Sequence, residues 1–247
     1  MEIKPPVPIS VDHLKFRVDD IEYYLHSSEA LVSGKEYPPK LFVTPDGDKI
    51  VFRQASRDEA DILLKPLKQI IDMQFDKDLY HLVAARTYAE ILAWKQHRYK
   101  DEYVIVGVDV TGDEAELVGI WNARMWDENL TISLHSITFR RKRRVGLTGY
   151  IAKMEHAFDY LGAKEWWATF ESPFGFRMGF YLRHLTKPYP QYQHELGGSI
   201  VFYVTKDIWD SILKPKFKAY LGERPVPEDL LEKSKKLIPP KKLEIEL

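Results

Sequence analysis

Residues 131–170 constrain the fold more than any other stretch of this 247-residue chain. Residues 131–139 are rich in β-branched and aromatic side chains, which is typical of a buried strand. A basic turn follows, and an apolar period of three or four over residues 147–161 predicts a helix. Gly162 ends that helix, and residues 165–170 predict a second strand. Because a crossover of this length joins parallel neighbours, we expect the two strands to be adjacent and parallel.

The turn between these strands has the chemistry of an anion site. Residues 140–144 are all basic, and Gly146 and Gly149 let a ligand approach the main chain. The first turn of the helix adds unpaired backbone N–H groups and the positive end of the helix dipole. Ligands of open α/β sheets bind beyond the carboxyl ends of parallel strands, which is where this turn lies. The sequence therefore predicts a phosphate or pyrophosphate site.

Known phosphate-binding loops differ in the spacing of their glycines. The Walker sequence G-x-x-x-x-G-K-[ST] is absent, and the first two glycine positions of G-x-G-x-x-G do not fit, although Glu171 could supply the acidic residue of that motif. The segment R-R-V-G-L-T at residues 143–148 resembles the [RQ]-x-x-G-x-[GA] loop of the GNAT N-acetyltransferase superfamily. Thr148 replaces the last small residue of that loop, and Gly149 follows directly.

A second segment supports this resemblance. Ser and Pro at residues 172–173 favour the start of a helix that would carry Tyr181 on its third turn. The family has a similar helix after its fifth strand, ending in an aromatic-Tyr pair, here Phe180-Tyr181. Phe174 and Arg177 stand where the family often has Asn and Ala. This departure concerns the side-chain contacts to the coenzyme and leaves the implied fold unchanged.

The remaining predicted elements follow the order of the family. Residues 40–54 predict a β-hairpin with Asp-Gly at its turn, and residues 56–59 form a capping box that begins a helix. This helix, kinked or split at Pro66, and a second helix over residues 78–98 precede a hairpin over residues 103–123. The faces predicted to point inward consist of Leu63, Leu67, Ile70 and Ile71 in the first helix and Leu82, Ala85, Ala89 and Leu92 in the second.

The predicted fold is α/β (α+β) and of the GNAT type. We expect a mixed, largely antiparallel twisted sheet with parallel central strands 4 and 5 and with helices on both faces. A β-rich extension is predicted for residues 1–48, an acyl-CoA-binding catalytic domain for residues 49–205, and a helical appendage for residues 206–247. The last strand of the catalytic domain is expected over residues 197–205.

The resemblance implies transfer of an acetyl group from acetyl-CoA, as co-substrate, to a primary amine. It implies a coenzyme-binding loop made of Arg143, Arg144, Val145, Gly146, Leu147, Thr148 and Gly149. The pantetheine would lie where the fourth and fifth strands splay, and a main-chain N–H near Ile137 or Thr138 would stabilise the thioester oxygen. Tyr181 is the implied proton donor to the departing thiolate, and His135 or Glu171 is the candidate base. Each also has a structural interpretation, as core residues for Tyr181 and His135 and as a helix cap for Glu171.

Composition limits the class of partner. The chain has no cysteine, which excludes disulfides and cysteine nucleophiles, and its histidines lack metal-binding spacing, so no metal is predicted. Lys plus Arg number 36 against 37 Asp plus Glu, which argues against a nucleic-acid partner. No apolar run approaches the roughly 20 residues of a membrane span, so we expect a cytoplasmic protein without a membrane partner. Whether it forms a homodimer stays open.

Two other functions fit the same residues. A non-catalytic CoA-binding protein of the same fold, acting as a sensor or with CoA as a structural ligand, would keep the loop without the chemistry. A dinucleotide-binding module would use the same helix N-terminus for a different diphosphate. Within the first hypothesis the acceptor is a small-molecule or peptide amine, with amino acids, polyamines, antibiotics and protein N-termini all open.

Overall fold

The computed structural model describes the chain in seven stretches, residues 35–73, 80–98, 101–141, 144–170, 173–182, 184–188 and 200–245. Most of the predicted N-terminal extension lies outside them, and so do Arg143 and Glu171. The roles predicted for those residues therefore stay predictions.

Nine strands of the described residues form one sheet in the order β1-β2-β3-β4-β5-β6-β8-β7, with β9 beside β4. They are β1 (Lys40–Val43), β2 (Lys49–Gln54), β3 (Glu102–Asp109), β4 (Ala115–Met125), β5 (Leu130–Thr138), β6 (Glu165–Ala168), β7 (Leu185–Pro188), β8 (Ile200–Thr205) and β9 (Leu237–Ile238). Paired strands are antiparallel except for β5–β6 and β4–β9. The predicted mixed sheet is confirmed, and β5 and β6 are its parallel central pair.

The longer helices follow the strands in the predicted order. They are α1 (Ala60–Met73), α2 (Tyr80–Lys95), α3 (Val145–Glu155), α4 (Pro173–Tyr181) and α5 (Glu228–Ser234). A π-helical turn extends α3, and Gly162 then stops it with a φ of 80° that suits glycine. Within the described stretches, none of the helices combines the length and apolar character needed to cross a bilayer.

Local turn chemistry explains two of these elements. In the predicted hairpin, β1 pairs with β2 and Gly47 adopts a φ of 91° in the connecting turn. The predicted capping box is also present before α1, where the backbone N–H of Ser56 donates to Glu59 Oε2 at 2.8 Å. Pro66 lies inside α1, which continues to Met73, so the helix is not split there and only the alternative prediction of a kink stays open.

Helices cover both faces of the sheet. Alternate residues of its central strands are therefore buried in two different hydrophobic clusters, one on each face. On β3, Tyr103 packs in the cluster that includes α3, and Val104 packs in the cluster that includes α1 and α2. The inward face of α1 is as predicted at Leu63, Leu67 and Ile70. The predicted face of α2 is wrong, since its buried residues are Tyr80, Ala84, Thr87, Ile91 and Trp94. The helix has apolar residues of its own on all sides, so their spacing does not show which side faces the sheet.

Residues 206–245 pack against the same sheet. The ring of Trp209 stacks on Phe158 at 5.6 Å, and β9 pairs in parallel with the start of β4. The backbone N–H of Glu244 also donates to the carbonyl of Phe139, directly after β5, at 2.7 Å. The division at residues 48 and 205 stays a prediction, but these contacts join the C-terminal residues to the core.

Candidate functional site

The two parallel central strands pair over a short distance and then separate. β5 pairs with β6 at three positions, of which the last is Ile132 opposite Trp167. β6 ends at Ala168, whereas β5 continues to Thr138. Among the described residues no strand pairs with this side of β5 beyond Ile132. The sheet therefore forks here, and residues 133–138 present an open strand edge.

A β-bulge in β5 accompanies the fork. Trp121 is paired with Ser136 and Ala123 with Ser133, so two residues of β5 stand opposite Asn122. The backbone N–H of His135, within the bulge, donates to the side chain of Asn122 at 3.0 Å. A bulge bends its strand and locally increases its twist, which explains why β5 turns away from β6 here.

The strand register decides which backbone groups face the open edge. The N–H of Phe139 donates to the carbonyl of Val118 on β4 at 2.9 Å. Because backbone groups alternate in direction along a strand, Ile137 also directs its N–H and C=O toward β4. Ser136 and Thr138 direct theirs toward the fork. Of the two residues predicted to stabilise a thioester oxygen, Thr138 thus has a suitable N–H direction and Ile137 does not.

One backbone acceptor on this edge already has a partner within the protein. The hydroxyl of Tyr80, at the start of α2, donates to the carbonyl of Thr138. The guanidinium of Arg141 lies over the Tyr80 ring at 4.6 Å. Burial raises the pKa of Tyr80 to about 12, so the hydroxyl stays a donor across the neutral range. The end of the open edge that lies nearest the basic turn therefore contacts the start of α2.

The N-terminus of α3 lies close to the same end of β5. Arg144 precedes the helix with a φ of 60° and makes no capping bond with its side chain. The first intrahelical bond comes from the N–H of Thr148, which donates to the carbonyl of Arg144 at 3.0 Å. The N–H groups of the three residues before Thr148 consequently have no partner within the helix. Arg144 and Gly146 are exposed to solvent, whereas Val145 and Thr148 face the core.

The two glycines of this turn have different surroundings. An added Cβ at Gly149 would lie well inside van der Waals contact with the indole of Trp121, so glycine is needed there for helix–strand packing. An added Cβ at Gly146 would meet only Thr138 Cγ2, at 3.5 Å. The prediction that both glycines admit a ligand is thus corrected for Gly149. Trp121 Nε1 donates to the carbonyl of Gly146 at 3.2 Å and thereby holds the first turn of α3 against β4.

The described residues of the basic run have different surroundings. Arg140 pairs with Asp109 and, at 2.9 Å, with Glu116. Burial alone would raise the pKa of Asp109, but hydrogen bonds from Thr111 and the charge of Arg140 lower it below 3.8. Arg140 is therefore committed to the ends of β3 and β4. The exposed Arg144 is the basic side chain of this run that the structure places at the helix N-terminus.

A polar network surrounds the bulge on the side of α2. His135 Nε2 lies 3.3 Å from Glu90 Oε1. The side-chain amide of Asn122 donates to Glu90 at 2.7 Å and to Glu102 at 2.9 Å. Burial, with the nearby charge of Glu90, raises the pKa of Glu102 to about 8. The structure thus gives the predicted base His135 a carboxylate partner that the sequence did not reveal.

Tyr181 occupies the last position of α4, as predicted, and its ring contacts the C-terminal part of the chain. The ring is 50% exposed and lies 5.6 Å from Phe217, with Lys216 Nζ at 4.5 Å. Lys216 Nζ also donates to the backbone carbonyl of Tyr181 at 3.0 Å. The described contacts therefore link Thr138 to the α3 turn and His135 to Glu90, whereas those of the Tyr181 ring are with the C-terminal part.

The sequence did not reveal Lys153, which is buried on α3 beneath the bulge. Its Nζ donates to the carbonyls of Asn122 and His135 at 3.1 and 2.8 Å. One signal was available. In the helix predicted over residues 147–161, Lys153 lies one residue before the inward Met154 and three after the inward Tyr150. A lysine among inward positions of a helix indicates a buried, hydrogen-bonded ammonium.

No protein-family model matches the chain, and no curated protein sequence gives a significant match. Solved structures do resemble it. A GCN5-related N-acetyltransferase from Brucella melitensis superposes with a TM-score of 0.52 at 13% identity, covering 84% of this chain and 99% of the other. Apo FdhC, described as a nucleotide-linked sugar GNAT, superposes with a TM-score of 0.51 at 12% identity, covering 76% of this chain and all of the other. The chain thus has the GNAT fold.

Proposed function

We propose that this protein is an acyltransferase of the GNAT superfamily that moves an acetyl group from acetyl-CoA to a primary amine. One observation carries the proposal, namely that the fork between β5 and β6 opens beside the unpaired N–H groups of α3. A helix N-terminus attracts a diphosphate, and an open strand edge pairs with an amide-rich arm. CoA joins these two chemical features in one molecule.

The coenzyme can be assigned to particular backbone groups. The diphosphate would accept hydrogen bonds from Val145, Gly146 and Leu147, with Arg144 adding charge at the exposed side of the turn. Arg143 keeps its predicted role in the same turn. The pantetheine amides and the thioester carbonyl would accept from the N–H groups of Thr138 and Ser136, which face the fork.

His135 is the proposed base. Its imidazole lies in the bulge at the fork, and the carboxylate of Glu90 at 3.3 Å would orient the ring and stabilise the imidazolium formed when the amine loses its proton. Glu171 stays an alternative base. The acceptor amine, from a small molecule or a peptide, would approach from the side of α2, because Glu90 and His135 meet there.

Tyr181 is retained as the proposed proton donor to the departing thiolate. Its exposed position against Phe217 instead favours the second candidate function, a non-catalytic CoA-binding protein of the same fold. Release of CoA thiol from acetyl-CoA in the presence of a panel of amines separates these two candidates.

Calorimetric titration with acetyl-CoA, CoA and NAD tests the coenzyme assignment. Gly146→Glu would place a carboxylate at the proposed diphosphate site, so we expect it to weaken acetyl-CoA binding at least about tenfold. Gly112→Glu is the matched control, since no atom lies within 4 Å of a Cβ added in that turn between β3 and β4. Equal affinity of both variants and the wild type, or tighter binding of NAD than of CoA, would refute the assignment.

A further inference from the structure

We infer that Lys153 is a positioning residue of this reaction, whose ammonium group holds the bulged edge of β5 in the shape that the fork requires. The inference rests on the proposed acyl transfer for its kinetic consequence. Its structural part, the ordering of residues 133–138, can be measured without any turnover.

Lys153 reaches the bulge from the opposite side to Glu90. Its side chain is fully buried on α3. Nζ donates to two backbone carbonyls, of Asn122 at 3.1 Å and of His135 at 2.8 Å. Two hydroxyl oxygens also lie within hydrogen-bond distance of Nζ, those of Ser133 at 2.9 Å and of Ser136 at 3.1 Å, and the three protons of an ammonium group can serve three of these four oxygens at once. Of these four acceptors, the one on Asn122 belongs to β4 and the other three belong to β5. Ser133 is the first residue of β5 beyond its pairing with β6.

The bulge creates the need for such a donor. Where two residues of β5 oppose Asn122, the regular ladder between β4 and β5 is interrupted and carbonyl groups lose their strand partners. A buried carbonyl without a donor is costly, and the N–H of His135 within the bulge already donates to the side chain of Asn122. Lys153 supplies protons to both carbonyls at once. Without Lys153, regular pairing of β4 with β5, in which the bulge is lost, would satisfy these two carbonyls better.

The burial of this lysine is itself informative. Among the described residues, no carboxylate lies within ion-pair distance of Nζ, and burial lowers the pKa of Lys153 well below 10.5. The rings of Tyr150 and Trp166, 5.2 and 5.5 Å from Nζ, favour the charged form. A buried lysine without an ion-pair partner contributes little to stability compared with an apolar residue of the same size. Its value here is the geometry that it imposes on the bulge.

The same helix links the two ends of the proposed coenzyme site. The N-terminus of α3 faces the diphosphate, and Lys153 lies eight residues further on, roughly 12 Å along the helix axis. It fixes the carbonyl of His135 and the side chain of Ser136. The candidate base and the edge N–H of Ser136 are therefore set relative to the helix that holds the coenzyme. Loss of this link should disturb the reacting groups more than coenzyme binding.

Lys153→Met tests the inference, with Lys40→Met as the matched control. Lys40 is also fully buried and also donates to a backbone carbonyl, that of Tyr220 at 2.7 Å. It lies on β1, which β2, β3 and β4 separate from β5, and its contact with α3 is to Glu155 at the end of that helix. Three quantities are measured for both variants and the wild type: kcat and KM for acetyl transfer, Kd for CoA, and hydrogen exchange of the amides of residues 133–138.

We expect Lys153→Met to lower kcat at least tenfold, to change Kd and KM less than threefold, and to speed exchange at residues 133–138 at least tenfold. Lys40→Met should leave all of these unchanged. Wild-type kcat and exchange in Lys153→Met, or a kcat loss matched by Lys40→Met or by a parallel rise in Kd, would overturn the inference. If the wild type binds CoA but transfers no acetyl group, the proposed catalysis fails, and the exchange result alone decides whether Lys153 orders the edge.

Discussion

At the scale of single residues, Asn122 connects the elements around the fork. Its side chain accepts from the bulge and donates to carboxylates on α2 and β3, so one amide joins three elements. The raised pKa of Glu102, about 8, means that this carboxyl group holds its proton at neutral pH. Asn122 therefore joins the protonated Glu102 to Glu90, the residue beside the candidate base.

Tyr181→Phe tests the proposed proton donor. If the phenol protonates the departing thiolate, kcat should fall by about 100-fold, a size typical of general acid catalysis. The free energy of unfolding should stay unchanged, because the ring contacts to Lys216 and Phe217 do not need the hydroxyl. Steady-state kinetics and urea unfolding measure both. Wild-type turnover in this variant would remove Tyr181 from the mechanism.

The sequence identifies some of these residues and misses others for a physical reason. His135 and the turn at residues 143–149 are identified by their place after or within a strand. Glu90 and Lys153 are ordinary surface residue types, and their burial depends on which elements pack beside them. Only the assembled sheet shows that one carboxylate and one ammonium meet at the same bulge.

At the scale of elements, the contact between α3 and β4 sets the position of the helix N-terminus. Gly149 and Trp121 pack without space for another atom between them, and Trp121 Nε1 bonds to the turn above. This contact therefore helps to set the direction of the helix dipole relative to the fork.

Gly149→Ala should destabilise the fold by about 1 to 3 kcal/mol, since the added methyl group overpacks the interface with Trp121. Gly146→Ala is the matched control, because its methyl group would make an ordinary contact with Thr138. That variant should be neutral or slightly stabilising, as alanine favours helices. Urea unfolding of both proteins provides the comparison. Equal stability would show that α3 can shift away from β4 at no cost.

Elements with a strong local signal could be predicted from the sequence. The β1–β2 hairpin, the capping box and the strand–turn–helix–strand unit have turn residues and periods of their own. β9 was missed because a strand of two residues is too short to show a period. β7 was also missed, although β1 and β6 have the same length of four residues, because it does not belong to a hairpin or crossover with a turn signal of its own. β9 is recognisable only through its pairing with β4, a contact distant in sequence.

At the scale of the whole molecule, a buried ionic cluster ties the C-terminal part to β1 and α3. Glu155 accepts from Tyr37 at 2.6 Å and from Arg224 at 3.0 Å. Lys40 Nζ lies 3.7 Å from the same carboxylate and donates to the carbonyl of Tyr220. Segments from both ends of the described chain thus meet at one carboxylate beside the last turn of α3.

Lys40 should make the stability of the fold depend on pH. Burial lowers the pKa of Lys40 from 10.5 to about 7, despite the attraction of Glu155. Between these values the unfolded chain binds the proton and the folded chain does not, so the free energy of unfolding rises with pH. Lys40→Met removes this dependence. From pH 7 to pH 10 the wild type should gain up to about 4 kcal/mol relative to the variant.

Urea unfolding of both proteins at one-unit intervals between pH 7 and pH 10 measures this difference. Other groups titrate over the same range, and the raised pKa of Glu102 acts in the opposite direction below pH 8. Their contributions are shared by the two proteins and cancel in the comparison. Parallel stability curves would show that Lys40 keeps its ordinary pKa in the fold.

The bond from Glu244 to the carbonyl of Phe139 has a consequence for synthesis on the ribosome. β4 and β5 leave the exit tunnel about a hundred residues before the segment that holds them at this end. A nascent chain can thus form the β4–β5 hairpin early, whereas the peptide that leads from β5 into the basic turn gains its bond from Glu244 only later. The turn before α3 would then be among the last parts of the molecule to reach its final structure, and the speed of translation past residue 200 would govern how long it stays incomplete.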